Sequence, residues 1–99
     1  MKLDILAFGA HPDDVELGCG GTIALSVSQG KSVGIIDLTQ GELGTRGSAA
    51  LRKEEAETAK AILKVSVREN LSFRDGFFIN DEVHQRKVIQ KIRAFQPDI

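Results

Sequence analysis

Leu3-Asp4-Ile5-Leu6-Ala7-Phe8, then Gly9-Ala10-His11-Pro12-Asp13-Asp14-Val15-Glu16-Leu17, then Gly18-Cys19-Gly20-Gly21, is the stretch on which the fold turns. An apolar run of strand length breaks into a polar loop, and small residues then open a helical segment. This is how a strand hands over to a helix. Between His11 and Glu16 lie one imidazole and three carboxylates. His11 and Asp14 offer one nitrogen and one oxygen donor, a pair that suits Zn²⁺ or a similar divalent ion. Asp13, between them, cannot easily point the same way as both neighbours and is free to face a water. The bland alternative is a polar turn in which Asp13 or Asp14 caps the next helix. Pro12 limits the backbone between the two donors and favours the metal reading.

The same alternation continues down the chain. Gly18 to Gly30 reads as a helix. Ser32-Val33-Gly34-Ile35-Ile36-Asp37-Leu38 reads as a second strand rich in β-branched residues. Thr39 to Gly47 is a glycine-punctuated loop. Ser48 is placed to cap a helix that reaches Lys64, with Leu51, Ala59, Ile62 and Leu63 on one stripe. Glu69 to Phe73 is a third, shorter strand. Asn80 or Asp81 caps a third helix, with Val88, Ile89, Ile92 and Phe95 at helical spacing, and Pro97 stops it. Strands alternating with helices predict βαβ units around a parallel sheet, a Rossmann-like three-layer α/β sandwich of about three βα units. The first strand, being almost wholly apolar, belongs in the interior of the complete sheet.

Ligands in such sheets bind beyond the carboxyl ends of the strands. The predicted loops 9–17, 39–47 and 74–80 all lie there. They carry His11, Asp13 and Asp14, then Glu42 and Arg46, then Asp75. Arg52 falls in the first turn of the second helix, where the helix dipole favours anions over cations. A role in binding an anion would account for it. Gly18-Cys19-Gly20-Gly21 misses the Gly-x-Gly-x-x-Gly spacing and follows an acidic loop that repels phosphate, which argues against nucleotide binding. Its small residues instead suggest close packing of helix on sheet. Phe77 and Phe78 read as core aromatics, Cys19 as a small packed residue, and His84 as exposed.

Composition sets the outer limits. The chain has 99 residues, a net charge of −1 and 41% hydrophobic residues, enough for one small domain spanning 1–99. Mixed charge points away from nucleic acid and membrane surfaces. One cysteine, and no leader-like start after Met1-Lys2, fit the cytoplasm. Pro97-Asp98-Ile99 looks like the lead-in to a fourth strand, so residues 1–99 read as the N-terminal part of a longer domain. The unpaired sheet edge predicts self-association into a homo-oligomer or cover by a partner segment.

Four blocks taken together resemble the LmbE/PIG-L family of zinc-dependent deacetylases: Ala10-His11-Pro12-Asp13-Asp14, Gly41-Glu42-Leu43-Gly44-Thr45-Arg46-Gly47, Leu51-Arg52-Lys53-Glu54-Glu55-Ala56 and Phe73-Arg74-Asp75-Gly76-Phe77. They most resemble the branch that deacetylates N-acetylglucosaminyl malate in bacillithiol biosynthesis. The resemblance implies His11 and Asp14 as zinc ligands, Asp13 as general base, and Arg52, Asp75, Glu42 and Arg46 as substrate-binding residues. It implies a third zinc ligand, a histidine, beyond Ile99, and an N-acetylglucosamine conjugate as the small-molecule partner. Val15 separates the two aspartates from Glu16, which receives no catalytic role. The rival reading is a non-catalytic carbohydrate- or metal-binding fragment on the same scaffold.

Overall fold

The computed structural model describes all of residues 1–99. The elements are β1 (Ile5–Gly9), α1 (Asp14–Ser28), β2 (Val33–Thr39), α2 (Ala49–Leu63), β3 (Val67–Phe73) and α3 (Glu82–Phe95). The strands form one parallel sheet in the order β1-β2-β3. No helix is long and apolar enough to cross a membrane.

Strand alternation divides the core in two. Val33 and Ile35 of β2 join Val15 and Ile23 of α1 and Val65 in one cluster, with Ile5, Ala7, Cys19, Val27 and Leu63 packed against it. On the other face Leu3, Leu6 and Ile36 gather Leu38, Leu71 and Phe95 of α3. Helices α1 and α2 therefore cover one face and α3 the other, which gives the expected three layers. The stripes on α2 and α3 are only partly used. Leu63 and Phe95 pack, while Leu51, Ile62, Ile89 and Ile92 remain exposed.

β1 has neighbours on both edges. Beyond its pairing with β2, the Leu6 N–H donates to the Ile99 carbonyl at 2.9 Å and the Ile99 N–H donates to the Asp4 carbonyl at 3.1 Å. Those two bonds flank Ile5 as in a parallel ladder. β2 carries side chains into both layers, so its residues from Val33 to Asp37 are all buried.

Two helix starts match their caps. The Ser48 side chain accepts the Leu51 N–H, and Asp81 accepts the His84 N–H. The first helix differs from the sequence reading, since it begins at Asp14 rather than Gly18. Asp14 and Glu16 favour a helix N-terminus, so the acidic stretch already supports the first turn. The glycine-rich segment instead marks a kink, with Cys19 at φ −145° and ψ 21°. Added Cβ atoms at Gly18, Gly20 and Gly21 would meet open space, so these glycines do not serve close packing on the sheet.

One buried ionic cluster ties the layers together. Arg68 of β3 grips Asp37 of β2 with both arms, Nε to Oδ2 at 2.9 Å and Nη2 to Oδ1 at 3.0 Å. It also meets Glu16 of α1, Nη1 to Oε2 at 3.0 Å. The Arg68 and Asp37 side chains are 2% and 3% exposed. Burial pushes the Asp37 carboxyl above the usual carboxylate range against the pull of Arg68. Its charge therefore depends on the guanidinium. Arg68→Ala is expected to cost about 3–5 kcal/mol, because it strands a buried carboxylate. The urea midpoint reads this out, and Arg68→Met combined with Asp37→Leu should recover most of it. A single-mutant loss below about 1 kcal/mol would show that the cluster is not structural.

Candidate metal and substrate site

Three loops meet at the carboxyl ends of the strands. Residues 10–13 follow β1, 40–48 follow β2 and 74–81 follow β3. The Thr39 N–H and hydroxyl both donate to the Ala10 carbonyl, at 3.0 and 2.9 Å, and so fix the first loop to the end of β2. Glu42 accepts the Asp75 N–H at 3.1 Å, and Asp75 Oδ2 accepts the Leu43 N–H at 3.0 Å. This reciprocal pair locks the second loop to the third.

A surface cavity of about 360 Å³ lies where these loops converge. Its lining includes His11, Asp13, Asp14, Arg52 and Asp75. His11 Nδ1 sits 3.4 Å from Asp14 Oδ2, and His11 Nε2 bonds Asp75 Oδ1 at 2.7 Å. The Asp75 bond raises the pKa of His11, opposed by partial burial. The Leu43 N–H, helped by His11 and the nearby charge of Arg52, holds the Asp75 carboxyl below the usual carboxylate range. Asp14 Oδ2 also accepts the His11 N–H at 2.9 Å, closing the loop into a compact turn.

The His11–Asp14 pair suits a divalent ion. Zinc bonds nitrogen and oxygen at about 2.0–2.2 Å in a tetrahedron, so two donors on one ion stand roughly 3.3–3.5 Å apart. The observed 3.4 Å falls in that range. No three His, Cys, Asp or Glu side chains of the chain form a complete metal site, so the pair amounts to two donors.

Asp13 occupies the N-cap position of α1 but makes no side-chain cap hydrogen bond. Its backbone is left-handed at φ 91°, a conformation costly for a residue with a Cβ. Glycine would fit more easily at this backbone conformation.

Arg52 lies across the second loop. A Cβ on Gly41 would come within 2.6 Å of Arg52 Nη1, and Gly41 itself has φ 65°. The dihedral favours glycine there, and the Arg52 side chain packs into the space a Cβ would take. The Arg52 guanidinium has no ion-pair partner within the chain. Glu42 reaches the site only through the Asp75 backbone. Arg46 is exposed on the same loop and does not line the cavity.

Several residues depart from their expected surroundings. His84 is half-buried rather than exposed, edge-on to Phe73 at 4.6 Å and bonded to Asp81. Phe78 packs on Phe73, but Phe77 is 61% exposed beneath the Arg74 guanidinium. Sequence reading missed the Arg68–Asp37–Glu16 cluster that anchors α1 behind the site. Its one visible sign was the carboxylate of Asp37 inside an apolar strand.

The chain matches the family model described as PIG-L: GlcNAc-PI de-N-acetylase over residues 6–99. It is 42% identical to an uncharacterized deacetylase, YaiS, of Escherichia coli K12 over 71 residues, which are 72% of this chain and 38% of that protein. The structure of N,N'-diacetylchitobiose deacetylase from Pyrococcus horikoshii overlays with a TM-score of 0.89 at 31% identity, covering 95% of this chain and 38% of that one. The 4-carboxy-2-hydroxymuconate hydratase of Pseudomonas putida KT2440 overlays with a TM-score of 0.82 at 30% identity, covering 98% and 45%. The chain thus spans about two fifths of the length of the proteins it matches.

Asp13→Gly is expected to leave the fold as stable as before, or up to about 1 kcal/mol more stable, because it relieves the left-handed residue. Thermal unfolding measures this. A clear drop in Tm would mean that the Asp13 side chain supports the helix after all.

Proposed function

Because this chain belongs to the PIG-L, or GlcNAc-PI de-N-acetylase, family, we propose that its protein is a metal-dependent N-deacetylase acting on an N-acetylglucosamine conjugate, with zinc held partly by His11 and Asp14. The observation that carries the reading is the His11–Asp14 pair at 3.4 Å beside an Asp13 side chain with no cap bond, all on one cavity. The resemblance to the bacillithiol-pathway branch favours N-acetylglucosaminyl malate as substrate. Residues 1–99 then form the N-terminal part of the catalytic domain, and a further histidine ligand comes from sequence after Ile99.

In this reading zinc would supply Lewis-acid chemistry, lowering the pKa of water towards about 7 and polarising the acetyl carbonyl. Asp13 takes the proton of the water that attacks the carbonyl carbon. It returns that proton to the amide nitrogen as the C–N bond breaks, releasing acetate and the free amine. Arg52 offers a planar, unpaired guanidinium to a carboxylate such as malate's, or to sugar hydroxyls. Asp75 has both oxygens engaged within the chain and is less available to substrate.

The hydratase relative supports a second reading, because the same base could activate water for addition to a carbon–carbon double bond. The family description and the YaiS match favour the amide.

In the full-length protein, Asp13→Asn should retain metal and lose roughly 10²–10⁴ in turnover, since Asn keeps the shape but takes no proton. Asp14→Asn should instead lower metal content. Metal analysis beside amine release from N-acetylglucosaminyl malate decides both, and an interchange of the two phenotypes would reverse the assigned roles. Turnover of an unsaturated hydroxy acid with none of the acetylated sugar would select the hydratase reading.

Arg52→Ala should raise KM for the malate conjugate while leaving metal content unchanged. Unaltered kinetics would make Arg52 a mere prop for Gly41 and Gly44.

A further inference from the structure

We propose that Asp75 is a positioning residue: its carboxylate holds the His11 ring so that Nδ1 is the unprotonated nitrogen facing Asp14, and Glu42 holds Asp75 in place. The inference rests on the reading of His11 and Asp14 as metal ligands and assigns a second layer of that same site.

The geometry is specific about which atom does what. Asp75 is buried, with its side chain 7% exposed. Its Oδ2 is committed to the Leu43 N–H at 3.0 Å, a backbone donor that cannot change sign. Its Oδ1 faces His11 Nε2 at 2.7 Å. An ionised carboxylate only accepts, so Nε2 must carry the hydrogen. In the neutral ring the lone pair then falls on Nδ1, which sits 3.4 Å from Asp14 Oδ2. A carboxylate behind a ligating imidazole fixes both tautomer and ring orientation. The Glu42 carboxylate accepts the Asp75 N–H at 3.1 Å, so the loop bearing Gly41 and Gly44 is tied to the same ring.

The substitutions have an unusual expected order. In Asp75→Asn the side-chain oxygen must stay on the Leu43 N–H, leaving the NH₂ against Nε2. The ring can satisfy that donor only by moving its hydrogen to Nδ1, which removes the metal-facing lone pair. Asp75→Ala deletes the partner but leaves either tautomer open. Asn, the conservative change, should therefore be the worse of the two. A residue that merely supports the loop would give the opposite order, because Asn keeps the Leu43 bond and Ala does not.

The test has two readouts, neither of them turnover. The first is the His11 tautomer from ¹⁵N NMR at a pH where the ring is neutral, assigned by the signals lost in His11→Ala. The second is Zn²⁺ affinity by competition with a chromophoric chelator. The wild type should show hydrogen on Nε2, and Asp75→Asn should show it on Nδ1. Affinity should fall roughly 10–100-fold in Asp75→Asn and by less in Asp75→Ala. Glu42→Ala should weaken zinc, and Glu42→Gln, which still accepts the Asp75 N–H, should restore it. A wild-type ring with hydrogen on Nδ1, or Ala weaker than Asn in zinc binding, overturns the inference. Unchanged zinc affinity in both His11→Ala and Asp14→Asn overturns the metal reading itself, so the two failures are told apart.

Discussion

The Arg68 guanidinium is the constraint on which the rest of this structure depends. It joins β3 to β2 through Asp37 and reaches α1 through Glu16. Glu16 lies two residues beyond Asp14, so the same contact that orients the first turn of α1 also sets where the Asp14 carboxylate stands. A buried guanidinium between two carboxylates stabilises little over a well-packed apolar core, but it tolerates few alternative geometries. A site that needs two donors spaced to within a few tenths of an ångström gains from such an anchor.

Above that anchor, carboxylates are divided by what they accept. Glu16 and Asp37 neutralise Arg68. Glu42 and Asp75 accept backbone N–H groups, and Asp75 also accepts from His11. Only Asp13 lacks a cap contact while occupying a strained backbone position. A loop rich in acids would repel itself if its charges had no assigned partners. Here nearly every one is balanced by a cation, a helix N-terminus or a backbone donor. The exception is the side chain proposed as the base, and a base must keep its lone pairs free for a transient proton.

Much of this was legible in the sequence, for identifiable reasons. Short apolar and β-branched runs between helical segments placed the three strands to within about two residues, and Ser48 and Asp81 marked helix starts because a side-chain oxygen must meet the free N–H groups there. The convergence of His11, Asp13, Asp14 and Asp75 followed from parallel topology, which puts every strand-to-helix loop on one edge, whereas Glu42 and Arg46, expected there on the same ground, do not line the cavity. What was not legible depended on contacts far apart in sequence. Asp75 is 64 residues from His11, and nothing local reveals that its oxygens face inward. Arg68 fell outside the third strand as read from Glu69 to Phe73, although it is among the most buried side chains. Glycine misled in the first helix: three glycines suggested tight packing, yet their neighbours are open space and the local feature is a kink at Cys19.

Fold and chemistry separate at this point. A deacetylase and a hydratase share this scaffold at nearly equal identity, so the sheet and its helices do not select the reaction. Both reactions ask the scaffold for a water held beside a base. They differ in the electrophile, which the shared fold does not specify. Within residues 1–99 the glycine loop and Arg52 line the cavity together with His11, Asp13 and Asp14. Arg52 packs against Gly41 and Gly44 and has no ion-pair partner within the chain. On the proposed function, that unpaired guanidinium suits an anionic group of the substrate. In the proposed function Arg52 therefore bears on the choice of substrate, while the His11–Asp14 pair serves whichever bond is broken.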